Sequence, residues 1–154
     1  MEKIFYPLLE ASGADAIIVH CSDPRFQEAF KSFVKNELKI QHPAYIVVPG
    51  SVSSVGAELF APKHLKTLKD QIEFMLKHAK QPRLIIINHD DCQMYGKIHN
   101  LVCKKISISE HQINDLKKAV ELFKKYVPAA NNIEIFMARL DQSQPKKVFF
   151  EKIV

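Results

Sequence analysis

The chain has 154 residues, 47% hydrophobic and 25% charged, which fits one soluble globular domain able to bury a core without disulfide or metal staples. Lysine and arginine outnumber aspartate and glutamate by 22 to 17, a net +5; the lysines scatter over helix-like stretches such as Lys117-Lys118 and Lys124-Lys125, so solvated faces are expected rather than a nucleic-acid surface. The opening MEKIFYPLLEASGADA lacks the layout of a signal peptide, and no apolar run approaches the ~20 residues of a membrane span. A cytoplasmic location with no membrane partner is therefore expected, and there Cys21, Cys92 and Cys103 are thiols or metal ligands rather than disulfides.

Residues 1–15 read as an N-terminal arm. The run Ala16 to His20, AIIVH, is continuous and β-branched, as in a strand buried on both faces. It ends in His20-Cys21-Ser22-Asp23-Pro24-Arg25, and beyond it Phe26, Phe30, Phe33, Val34 and Leu38 recur at helical spacing. Ala44 to Val48 is a second strand, followed by a loop marked by Pro49-Gly50 and Gly56. Leu65, Leu68, Ile72, Met75, Leu76 and Ala79 then define another helix. The third strand, Arg83 to Asn88, runs straight into His89-Asp90-Asp91-Cys92. Ser109 with Gln112 reads as a capping box that opens a helix carrying Ile113, Leu116, Val120, Phe123 and Val127 inward. Ile133 to Leu140 is the fourth strand, and VFFEKIV, after a polar segment with Pro145, is an antiparallel edge strand. The expected fold is a single α/β domain over residues 1–154: a central four-stranded parallel sheet, a fifth antiparallel edge strand, and helices on both faces.

In such a sheet, ligands bind beyond the carboxyl ends of the strands. Two strands here end in reactive residues, and if they are neighbours Cys21, His89 and Cys92 can converge. A Cys2His set leaves one tetrahedral position open, and thiolate with imidazole suits zinc. Each piece has a plainer reading. An H-x-x-C alone is weak, Cys21 can be a small buried hydrophobe, and Asp23 before Pro24 is a good helix cap. His20 points to the opposite face from Cys21 and reads as a core residue or a support beside the site. His42, His64, His78, His99 and His111 read as loop or helix-surface residues, Cys103 as a buried thiol without a partner, and Met94-Tyr95 as pocket lining or packing.

Taken together, Cys21-Ser22-Asp23-Pro24-Arg25 and His89-Asp90-Asp91-Cys92, each directly after an apolar strand and in this order, resemble the signature pair of the β-class carbonic anhydrases. The resemblance implies Cys21, His89 and Cys92 as ligands of a zinc ion. Asp23 and Arg25 are then the catalytic dyad beside the open position, with Asp23 a possible fourth ligand that Arg25 holds off. It implies a lyase that reversibly hydrates carbon dioxide to bicarbonate, favoured at alkaline pH because two thiolates load the metal with negative charge. It also implies a homo-oligomer, a dimer or tetramer. Two other functions remain open: hydrolysis of a related small molecule such as carbonyl sulfide, and zinc binding without hydratase activity. The chain departs from the family pattern in three places. Gln93 stands where a glycine usually follows the second cysteine, Val47-Val48-Pro49-Gly50 replaces Arg-Asn-Ala-Gly, and Asp90 is expected to add negative charge near the metal.

Overall fold

The computed structural model describes residues 3–10, 12–102, 105–144 and 147–154; the expectations placed on Cys103 and Pro145 lie outside the described residues. The strands are β1 (Ala16–His20), β2 (Pro43–Val47), β3 (Arg83–His89), β4 (Asn132–Leu140) and β5 (Val148–Ile153). They form one sheet in the order β2-β1-β3-β4-β5. The first four are parallel, and β5 runs antiparallel to β4. This is the sheet that the apolar runs predicted.

Side chains alternate between the two faces, as the strand period requires. Ile17, Val19, Leu84, Ile86, Ile135 and Met137 pack with α2 (Ser53–Gly56), α3 (Pro62–Lys77) and α5 (Ile108–Tyr126). Ala16, Ile18, Ile85, Ile87, Phe136 and Ala138 pack with Phe30 and Val34 of α1 (Gln27–Asn36). Burying each Ile or Leu contributes roughly 1.5–3 kcal/mol, so the β1 and β3 runs hold the centre of the sheet from both sides. Among the described residues no helix is long and apolar enough to cross a membrane.

One helix boundary and one whole helix differ from what the sequence pattern predicts. α5 begins at Ile108, where the Ser107 side chain accepts from the Glu110 N–H, two residues before the expected Ser109 start. Ser107-Ile108-Ser109-Glu110 is itself a capping box, and it competes with the overlapping Ser109–Gln112 pair. Ser109 is used elsewhere, its hydroxyl lying 2.6 Å from Arg139 Nη1. A further helix, α4 (Gln93–Val102), follows the His89–Cys92 motif directly. Gln93 is thus the first residue of a helix and needs none of the special backbone freedom of glycine.

Candidate metal centre

β1 and β3 are hydrogen-bonded neighbours, with His20 level with Ile87. The loops after both strands therefore leave the sheet side by side. One ligand atom each from Cys21, His89 and Cys92 lies within 4.8 Å of the others, and all three residues are buried. The two sulfurs are 3.9 Å apart.

The surroundings prepare each atom. His89 Nδ1 lies 2.7 Å from the Asp90 carbonyl, which can only accept, so Nδ1 carries the proton and Nε2 a lone pair. That Nε2 is buried and has no hydrogen-bond partner, a costly arrangement unless something else takes the lone pair. Sulfurs each about 2.3 Å from a tetrahedral zinc stand about 3.8 Å apart, close to the separation here. A buried imidazole lone pair facing two such sulfurs fits zinc. The Cys21 thiol is held far below the ordinary thiol range. The Cys92 thiol donating to it is the main cause; burial opposes, while the Gly50 N–H, 3.3 Å from Cys21 Sγ, assists. Cys92 is pushed correspondingly up by that same neighbour and by burial. A metal held between the two sulfurs would displace the proton on that contact.

Local structure explains why the chain turns as it does here. Gln27 Nε2 donates to the Cys21 and Asp23 carbonyls at 3.0 and 2.7 Å, closing the loop after β1. Gly50 has φ +74°, and a Cβ there would collide with Ser53 and Met94. Only the glycine of the loop after β2 is needed to bring its N–H onto Cys21. Gln112 donates to the His89 carbonyl at 2.8 Å, and Asn88 Nδ2 to the Tyr95 hydroxyl at 3.1 Å, so α4 and α5 pin the end of β3. His20 is buried between Phe30 and Tyr45 and its Nδ1–H donates to the Cys21 carbonyl, a supporting place outside the ligand cluster.

Asp23 and Arg25 lie in the short 3-10 turn before α1. The Arg25 N–H and guanidinium both bond the Asp23 carboxylate, the shortest contact being 2.7 Å. The helix-cap role and the dyad geometry therefore coexist in one residue. Hydrogen bonding from Arg25 is the main cause holding Asp23 below the usual carboxylate range. Both line a cavity of about 380 Å³ together with Cys21, Cys92, Met94 and Lys97.

The expectations placed on Asp90, His99 and His111 are corrected. Asp90 does not add charge at the cluster: it faces the end of the sheet, accepting from Arg139 Nη1 and the Leu140 N–H, each at 3.1 Å. Asp91 ion-pairs with Arg25 at 2.8 Å; its partner lies 66 residues away, beyond the reach of local patterns. His99 and His111 are not surface residues. They are buried with their Nδ1 atoms 3.2 Å apart, because α4 packs on α5. Of the Met94-Tyr95 pair, Met94 lines the cavity and Tyr95 is buried beside Cys21 and Cys92.

Next to them Asp115 is fully buried with neither oxygen hydrogen-bonded, packed against Gly56 and 3.5 Å from His111 Nε2. Burial lifts its carboxyl from 3.8 to about 7. A carboxyl whose folded pKa lies above its unfolded value contributes fully below the unfolded pKa, and that stability is lost as pH rises through the folded one. Asp115→Asn is therefore expected to match the wild type near pH 4 and to exceed it by on the order of 2–4 kcal/mol above about pH 8. Urea melts at the two pH values check this; an equal difference at both would sink it.

A family model described as "Putative carbonic anhydrase" matches residues 11–138. Among solved structures, β-carbonic anhydrase isoform I of the protozoan Trichomonas vaginalis superimposes with a TM-score of 0.57, covering 98% of this chain and 88% of that one at 13% identity. At that identity the likeness is one of fold. No curated protein matches the chain.

Proposed function

The chain belongs to this carbonic anhydrase family, and on that premise we propose that it is a zinc-dependent lyase interconverting carbon dioxide and bicarbonate. The observation that carries the proposal is the buried, partnerless Nε2 of His89 grouped with the sulfurs of Cys21 and Cys92, with Asp23 and Arg25 lining the cavity beside them.

Cys21, His89 and Cys92 would hold the ion, and zinc bound there supplies the acidity that makes water a nucleophile near neutral pH. Asp23 has both oxygens bonded by Arg25 and keeps its negative charge, so it accepts the hydrogen bond that orients the attacking water. Two thiolates in the ligand set favour alkaline conditions. Lys97 also lines the cavity and would bring a cation to an anionic product there. The arm residues Ile4, Phe5, Tyr6, Leu8 and Leu9 are exposed, and burying them against further copies supports a dimer or tetramer. A cytoplasmic setting would keep the two thiols reduced and able to bind metal.

Arg25→Ala tests the proposal. It removes the group that holds Asp23 away from the ligand cluster, so hydration is expected to fall on the order of 100-fold while one equivalent of zinc remains. Stopped-flow rates and metal content measured on the same sample check both. Loss of zinc, or an undiminished rate, contradicts the role given to the dyad.

A further inference from the structure

Arg25 is held by two carboxylates on different loops. Its Nε donates to both Asp23 oxygens at 3.1 and 3.2 Å, and its Nη2 to Asp23 Oδ2 at 2.7 Å. On the other side, Nη1 donates to Asp91 Oδ2 at 2.8 Å and Nη2 to the Asp91 carbonyl at 3.1 Å. Asp23 and Arg25 share one turn. Asp91 lies on the loop that carries Cys92. Among the described residues, the hydrogen bonds joining that turn to that loop run from Arg25 to Asp91.

The backbone is arranged for this contact. Asp91 has φ +58°, a left-handed conformation that aspartate and asparagine tolerate better than most side chains. Two effects of its charge oppose each other: it partly neutralises Arg25, which weakens the pull on Asp23, and it anchors the guanidinium. The first is screened, since the side chains of Arg25 and Asp91 are 52% and 65% exposed. The second acts through a short directional bond from Nη1 to the Asp91 carboxylate, while Nε and Nη2 still reach both Asp23 oxygens, so anchoring prevails.

We infer that Asp91 is a positioning residue: it fixes the Arg25 guanidinium over the cavity, so that Asp23 keeps its partner there instead of turning to the metal. This rests on the zinc site proposed above. The sequence H-D-D-C then encodes a ligand pair with the anchor of the dyad between them.

The test uses two variants. Asp91→Asn keeps the tolerated backbone and an oxygen acceptor but removes the charge; Asp91→Gly removes the side chain without backbone strain. In cobalt(II)-substituted protein at one pH, the visible spectrum reports the fourth donor, and Arg25→Ala marks the state with Asp23 turned to the metal. The Asp91→Gly spectrum is expected to move toward that of Arg25→Ala with one equivalent of cobalt retained, and Asp91→Asn to fall between it and the wild type. In metal-free protein the Arg25 Nε–H resonance loses exchange protection in the same order. Hydration falls about tenfold in Asp91→Gly. A cobalt spectrum and an Arg25 resonance unchanged by Asp91→Gly overturn the inference, even if activity drops. An inactive wild type whose spectrum shifts as stated removes the hydratase proposal and leaves the anchoring role; an active one with no shift does the reverse.

Discussion

Cys92→Ala is expected to purify without stoichiometric zinc, its affinity lowered on the order of 10²–10³-fold by loss of one ligand. A second effect follows in metal-free protein. Hydrogen bonding from Cys92 is the main cause of the depressed Cys21 pKa, so the ultraviolet thiolate signal of Cys21 should titrate higher in the variant. Because an ion held by Cys21, His89 and Cys92 would bind the folded chain, any metal-dependent gain in melting temperature is also expected to disappear. Retention of one equivalent of zinc by Cys92→Ala would show that the ion sits elsewhere.

Gly50→Ala is expected to cost about 2–4 kcal/mol, combining left-handed strain with overpacking. At φ +74° its Cβ would lie 2.8 Å from Met94 Cγ and 3.0 Å from Ser53 Cβ, and it would press on the Ser53 hydroxyl. Relief requires the loop to move, which takes the Gly50 N–H off Cys21 Sγ, so zinc affinity falls with stability. Gly96 provides the contrast. It lies within α4 with nothing within 4 Å of an added Cβ, and Gly96→Ala should stabilise by roughly 0.5–1 kcal/mol. Denaturant midpoints and zinc titrations of the two variants check the pair. Equal stability of Gly50→Ala and the wild type would remove the steric argument.

The sheet was legible because AIIVH and RLIIIN can be little other than strands covered on both faces, and their order between helices dictates parallel pairing. The convergence of Cys21, His89 and Cys92 was legible for a different reason: C-x-D-x-R and H-x-x-C each follow such a strand directly, and β1 lies beside β3. What sequence could not show was where acidic neighbours point. Asp90 and Asp91 are adjacent, yet one bonds Arg139 and the other Arg25, a division made by the left-handed turn at Asp91 and by partners 49 and 66 residues away. His99 and His111 looked like surface residues because the packing of α4 on α5 leaves no local mark. α4 escaped notice because Gly96, Lys97 and Asn100 dilute its apolar period. The helix start at Ser107 was hidden by a second, overlapping box.

The loop after β2 shows which departures from a motif matter. Val47 is 45% exposed, so its side chain carries little packing that an arginine there would have to reproduce. Gly50 cannot be replaced in the same way, because its conformation delivers a hydrogen bond to Cys21 Sγ. Gln93 is harmless because a helix begins there. Retained and changed positions in this chain thus sort by backbone conformation and contact.

The most direct measurement is stopped-flow hydration of carbon dioxide by the zinc-replete chain across about pH 7 to 9, with the zinc-free Cys92→Ala variant as control. A zinc hydratase built on Cys21, His89 and Cys92 gives a wild-type rate far above the control and rising with pH. A wild-type rate no higher than the control, with one equivalent of zinc bound, contradicts it.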